Sequence, residues 1–129
     1  GKWLPWSKDA VPGVETKGFS ARWTGYIEPR FTEAFTFSAY IGSTDRVRLW
    51  INDDLVLDDW AAANPKRRRP KQTDVRSKPI ALTAGQRVSI RLEYASEGPE
   101  QGSLSLNWDS FTQERQRIPT AVLYPAAAN

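Results

Sequence analysis

The 129-residue chain contains no cysteine, no histidine and no methionine. Without Cys or His it has no thiol nucleophile, no imidazole base and none of the usual ligands for zinc, copper or haem. Only oxygen-ligand metals, calcium or magnesium, remain open to it. Disulfides can neither brace the fold nor report on redox compartment. No apolar run is long enough to cross a membrane as a helix, and no segment has the layout of a signal peptide. The chain starts at Gly1 without Met. It therefore reads as a piece of something longer, and the missing signal says nothing about secretion. Charge of one sign is lacking too: 18 basic against 15 acidic residues leave +3, too mild to name a partner by itself.

What is present is alternation with period two. Phe19, Ala21, Trp23 and Ile27 share one side of a run, and Phe35, Phe37 and Ala39 share one side of the next. Val47, Leu49 and Ile51 alternate with Arg46, Arg48 and Trp50. Val88, Ile90, Leu92 and Tyr94 alternate with Arg87, Ser89, Arg91 and Glu93, and Leu104, Leu106 and Trp108 with Ser103, Ser105 and Asn107. Each run has a dry face and a wet face, as a half-buried antiparallel strand requires. Turn signals separate the runs at Pro29-Arg30, Asn52-Asp53-Asp54, Ala84-Gly85, Gly98-Pro99 and Gly102. No window keeps helical spacing. The expectation is all-β: a single antiparallel sandwich, jelly-roll-like, over residues 1–129. Residues 1–18 read as an irregular arm anchored by Trp3 and Trp6, residues 95–103 as a flexible loop, and 126–129 as a loose tail.

Residues 45–60, "DRVRLWINDDLVLDDW", hold a cluster of carboxylates. The stretch reads as a hairpin, because Asn and Asp tolerate the left-handed backbone of tight turns. A three-residue loop over Asn52–Asp54 would set Ile51 opposite Leu55, Leu49 opposite Leu57 and Arg48 opposite Asp58. A calcium-loop reading fails, since the central Gly and terminal Glu are absent. Asp58, Asp59 and Trp60 end the second strand. Trp60 either caps the core or offers a stacking platform for a sugar, with Asp58 or Asp59 accepting its hydroxyl bonds. A glycosidase pair is excluded, because neighbours on a strand point to opposite faces. Lys66, Arg67, Arg68, Arg69 and Lys71 form a basic knot between Pro65 and Pro70. It reads as a solvated loop or as a patch for an anionic partner: acidic polysaccharide, acidic protein, membrane surface or nucleic acid. No aromatic interleaves with it, so it carries no base-stacking platform.

Six pieces, in order, resemble the protective-antigen domain family, named for a fragment of the anthrax toxin and found also in bacterial glycosidases and fungal adhesins. They are "FSARWTGYIEP" (19–29), "FTFSAY" (35–40), "DRVRLWINDDLVLDDW" (45–60), "LTAGQRVSIRLEY" (82–94), "SLSLNW" (103–108) and "RIPTAVLYP" (117–125). The resemblance implies a twisted antiparallel β-sandwich, a secreted or cell-surface setting, and a bacterial accessory module without catalysis. It also implies carbohydrate binding or adhesion, calcium-dependent in the fungal adhesins. Two departures stand out. The strand with which relatives begin is not visible ahead of the Trp/Pro-rich arm. Many relatives read Ser-Asp-Asp-Gly before "VRLW", and the paired Asp grips calcium across an unusual cis bond. This chain reads Ser43-Thr44-Asp45-Arg46. One carboxylate is gone and a cation stands beside the other, which opposes calcium. Asp45 is thus either a remnant metal ligand or a turn residue paired with Arg46 or Arg48.

The expected ligand-binding residues are Thr44, Asp45, Arg46, Asp59 and Trp60, in loops at one end of the sandwich. No cofactor is expected beyond calcium at Asp45. The expected partners are carbohydrate, neighbouring domains of a larger parent protein, and an anionic polymer at the basic knot. The reading of a different class is a structural interaction module that packs against neighbouring domains through Trp3, Trp6 and the missing edge strand, whose place another segment of the chain or an upstream one could fill.

Overall fold

The computed structural model describes residues 3–5, 15–16, 20–42, 45–60, 72–96 and 102–125. Among them run β1 (Trp3–Pro5), β2 (Glu15–Thr16), β3 (Ser20–Ile27), β4 (Glu33–Gly42), β5 (Asp45–Ile51) and β6 (Asp54–Asp59). They are followed by β7 (Gln72–Arg76), β8 (Ile80–Leu82), β9 (Val88–Ser96), β10 (Gly102–Ser110), β11 (Gln116–Arg117) and β12 (Leu123–Pro125), with a 3₁₀ turn over Thr120–Val122. The strands form two sheets, ordered β1-β3-β9-β5-β6 and β11-β10-β4-β7. Every pairing is antiparallel except that of β1 with β3. The fold is the all-β sandwich that the alternation predicts.

Three long strands have an outer edge filled in two halves. β3 is covered by β1 along Arg22–Thr24 and by β12 along Gly25–Ile27. β10 meets β2 at Gly102 and Ser103 and β11 at Asn107 and Trp108. β4 meets β8 at Glu33–Phe35 and β7 at Ser38–Gly42. An open edge leaves a row of unpaired N–H and C=O groups that would recruit other strands. This corrects one expectation: the first segment is not irregular throughout, since two described pieces of it are strands. Trp6 and the tail 126–129 lie outside the described residues. β9 extends to Ser96 and β10 begins at Gly102, so strands take up part of the segment read as a flexible loop; residues 97–101 lie outside the described residues.

The dry faces meet between the sheets. Trp23, Ile27, Val47, Leu49, Ile51, Leu57, Ile90, Leu92 and Tyr94 come from one sheet. Phe35, Phe37, Ala39, Ile41, Leu104, Leu106 and Trp108 come from the other. Phe35 stacks on Trp108 at 4.5 Å and Phe37 stands 6.1 Å from it, so β4 and β10 share an aromatic centre. Fully burying side chains of this size contributes roughly 1.5–3 kcal/mol each.

The hairpin turn differs from the expected one. Ile51 faces Asp54, and the turn is two residues, Asn52 and Asp53, with φ of 52° and 67°. Positive φ at both central positions is the geometry whose twist matches the flanking strands. The register then shifts between Leu49 and Trp50: Trp50 faces Leu55, Leu49 faces Leu57 and Arg48 faces Asp58. Val56 is the extra residue, a β-bulge that restores the sorting a two-residue turn alone would have inverted. Leu55, expected opposite Ile51, is instead 47% exposed beside Trp50.

At the opposite end of β4, Ser110 and Thr112 hydroxyls each donate to Glu33 at 2.6 Å. These bonds favour the anion and hold the Glu33 carboxyl below its ordinary range, Ser110 first and Thr112 second. A depressed folded-state pKa adds stability above the unfolded-state pKa, and that stability is lost as pH falls through the folded value. Glu33→Gln is expected to flatten the acid limb of the stability–pH curve, measured by urea unfolding between neutral and acid pH. Asp53→Val, a β-branched residue forced to positive φ, is expected to cost about 1–2 kcal/mol, while Asp53→Gly stays within about 0.5 kcal/mol.

Candidate functional site

Asp45 opens β5 on the same side as Val47, Leu49 and Ile51, and is 2% exposed. Its Oδ2 accepts the Gly42 amide N–H at 2.8 Å and the Tyr94 hydroxyl at 2.8 Å. Buried carboxylates need such donors, because desolvation otherwise disfavours the charge. The side chain reaches back to the last residue of β4. A Cβ on Gly42 would stand 3.0 Å from Oδ2, so glycine is the residue that lets the carboxylate seat there. Asp45 thus ties the strand that leaves one sheet to the strand that enters the other. Arg48, offered as a partner for Asp45, pairs elsewhere.

On the wet face of the same sheet, charges of alternating sign run across four strands. Arg22 Nε lies 2.7 Å from Glu93, Arg48 lies 3.6 Å from Glu93 on the other side, and Arg48 Nε is 3.3 Å from Asp58. The register makes this ladder, since Arg22 faces Glu93, Glu93 faces Arg48, and Arg48 faces Asp58. Glu93 is buried at 5% exposure although it sits on the outer face, so its two arginines cover it. Arg48 also lies 5.0 Å from the centre of the Trp60 ring, and Asp58 Oδ1 accepts the Trp60 backbone N–H at 3.3 Å. Trp60 is half-buried, with a cation at its ring.

Asp45, Arg46, Asp59 and Trp60 share the open end of the hairpin, because Val47 pairs with Asp59. They do not converge. Asp45 points into the sandwich, Arg46 lies on the outer face with Arg48, and Asp59 stands opposite the inward Val47. Thr44 and the basic knot Lys66, Arg67, Arg68, Arg69 and Lys71 lie outside the described residues. Among the described residues no group of three or more acidic side chains is placed to hold a metal ion, and no helix is long and apolar enough to cross a membrane.

Sequence reasoning overlooked Tyr94 and Glu93 as partners, and it overlooked Tyr40. Phe35, Phe37 and Ala39 are dry, which puts Tyr40 on the wet face by parity; it is 39% exposed. An aromatic on the polar side of an alternating run was the available signal.

These features define a two-layer β-sandwich in which the described polar groups bridge strands. The sequence profile of the PA14 domain matches residues 5–120. The chain belongs to the PA14 domain family, a family of non-enzymatic accessory domains that are often extracellular. It is 34% identical over 124 residues to the anti-sigma-I factor RsgI3 of Acetivibrio thermocellus, a match that takes in 96% of this chain and 17% of that protein. An anti-sigma factor domain-containing protein from Clostridium clariflavum is 35% identical, with a TM-score of 0.67 over 85% of this chain and 33% of its own. The transport component C2-II of the Clostridium botulinum C2-toxin, 22% identical with a TM-score of 0.55, shares the fold. The chain thus spans 17% of the length of the curated relative and about a third of the solved anti-sigma chain.

Asp45→Ala strands the Tyr94 hydroxyl and the Gly42 amide, and is expected to destabilise the domain by about 3 kcal/mol. Asp45→Asn retains an acceptor and should cost less. Because Asp45 is buried and no group of three acidic side chains forms around it among the described residues, millimolar calcium is expected to leave the melting temperature unchanged. A rise of several degrees on calcium addition would show a metal bound to the folded state.

Proposed function

We propose that this domain is the recognition module of a larger anti-sigma-type regulatory protein, working outside the cytoplasm, and that it recognises carbohydrate. The observation that carries the reading is the match of nearly the whole chain to a 17% stretch of a protein named as an anti-sigma-I factor. A non-catalytic domain embedded in a regulatory protein serves it by binding something. Carbohydrate is supported by the half-buried Trp60 at the open end of the hairpin, which offers a ring beside the Arg48 guanidinium. Such a pairing of an aromatic with a polar group suits a polyhydroxylated ring. Calcium has no part in this reading, since the paired-Asp position is Thr44 and Asp45 is committed to the fold.

A second reading, packing against neighbouring domains, is favoured by Phe31 and Phe111. They are 50% and 100% exposed and flank the Glu33 end of β4 and β10. Binding of an anionic polymer by Lys66, Arg67, Arg68, Arg69 and Lys71 rests on the sequence. Its signature is heparin affinity that falls steeply with salt and disappears on charge reversal at Arg67–Arg69. A glycan array run with calcium and again with chelator separates these readings. Specific binders under both conditions are expected; silence under both, from a domain that melts cooperatively, would sink the carbohydrate reading and leave packing between domains.

A further inference from the structure

The outer face of the second sheet carries a groove of about 460 Å³, lined by Tyr40, Ser105, Asn107, Arg115, Gln116 and Arg117. None of these was singled out by the sequence, and none lies at the hairpin end. The volume falls within the ~300–1,000 Å³ of small-ligand sites. Its floor is strand and not loop. Ser105 faces Tyr40 and Asn107 faces Ser38 across β10 and β4, while Arg117 faces Asn107 across β11 and β10.

Three of the groove's polar residues, Ser105, Asn107 and Arg115, are held by a neighbour. The Ser105 hydroxyl donates to Asn107 Oδ1 at 3.2 Å, and Asn107 Nδ2 reaches the Ser105 carbonyl at 3.5 Å, which sets the orientation of the amide. Arg115 donates to Asp74, a residue of β7 that faces Tyr40. That ion pair spans β10 and β4, from the turn entering β11 to the far edge of the sheet. A second bridge, Arg76 to Asp109 at 2.8 Å, crosses β4 from β7 to β10. Ser105, Asn107 and Arg115 are therefore held in place before a ligand arrives, which lowers the ordering cost at those groups.

The chemistry is an exposed phenol ring, a serine hydroxyl, two side-chain amides and two guanidiniums. No carboxylate lines it, so nothing there can act as acid or base on a glycosidic bond. Asp74 matches the charge of Arg115, so the groove is less cationic than its two arginines suggest. A surface with one aromatic and several hydrogen-bonding groups suits a sugar ring, which presents a C–H face for stacking and hydroxyls at its edge. We infer that this groove is a glycan-binding site, with Tyr40 as the stacking platform and Asn107, Gln116 and Arg117 as hydrogen-bonding groups. The inference rests on the carbohydrate reading and gives it a second address, on the sheet face opposite the charge ladder.

The test is calorimetric titration of the whole chain with soluble cello-, xylo- and mannohexaose, and with hexagalacturonate as the charged comparison. At least one is expected to bind. Tyr40→Ala should weaken that binding about tenfold or more, and Asn107→Ala or Arg117→Ala by about fivefold, as expected for one lost stacking or hydrogen-bonding contact. Tyr40→Phe should retain affinity within about threefold, because the ring is kept. Leu55→Ser, on the outer face of the other sheet, should leave affinity unchanged. All four positions are at least partly exposed, and unchanged melting curves would confirm folded variants. Binding that survives Tyr40→Ala, Asn107→Ala and Arg117→Ala but is lost in Trp60→Ala overturns the groove and keeps the carbohydrate reading. Absence of binding by every saccharide overturns both.

Discussion

Inside the sandwich, the Tyr94 hydroxyl and the Gly42 amide meet on one oxygen of Asp45. This three-way contact sits where the chain leaves β4, in one sheet, and enters β5, in the other. Tyr94 is on β9, the strand that pairs with β5 along its whole length. The contact fixes the crossover between layers and the start of β5 together. The register of β5 then sets everything on the hairpin: Leu49 against Leu57 in the core, and Arg48 between Glu93 and Asp58 outside. A slip of one residue would drive Arg48 inward and Leu49 out. A buried carboxylate with two donors is also costly to disturb, so the residue that resembles a metal ligand is the one the fold can least spare.

Much of this was legible from parity alone. The alternating runs assign the core residue by residue, because side chains on a strand have a period of two. The same parity places Asp45 with Val47, Leu49 and Ile51, on the inward face. Counting carboxylates between 45 and 60 hides that, since the count ignores direction. The turn was harder. A three-residue loop and a two-residue loop followed by a bulge both bring Leu49 to Leu57 and Arg48 to Asp58. They differ in whether Leu55 lies in the core or at the surface. Asn52-Asp53 suits the two-residue turn, yet nothing local marks Val56 as the inserted residue; packing around Trp50 and Arg91 decides it.

The long-range partners could not be read from sequence at all. Glu93 is an ordinary wet-face residue until β3 and β5 are placed on either side of β9, after which two arginines enclose it. Arg115 and Asp74 lie 41 positions apart, and only the order β11-β10-β4-β7 puts them across one groove. Tyr40 was within reach, because it breaks the polar side of its run. A bulky aromatic there is unnecessary for the core, which β4 already fills with Phe35, Phe37 and Ile41.

The two outer faces therefore do different work. On the first sheet, Arg22, Glu93, Arg48 and Asp58 satisfy one another across four strands, and the cation of Arg48 also covers Trp60. Recruiting Trp60 to a ligand means displacing or sharing that guanidinium. On the second sheet Arg76 joins Asp109 and Arg115 joins Asp74 across β4 and β10, the strands that carry the tyrosine, the hydroxyl and the amide. A ligand at Trp60 must share the ring with a guanidinium, whereas Tyr40 stands exposed on its sheet beside Ser105.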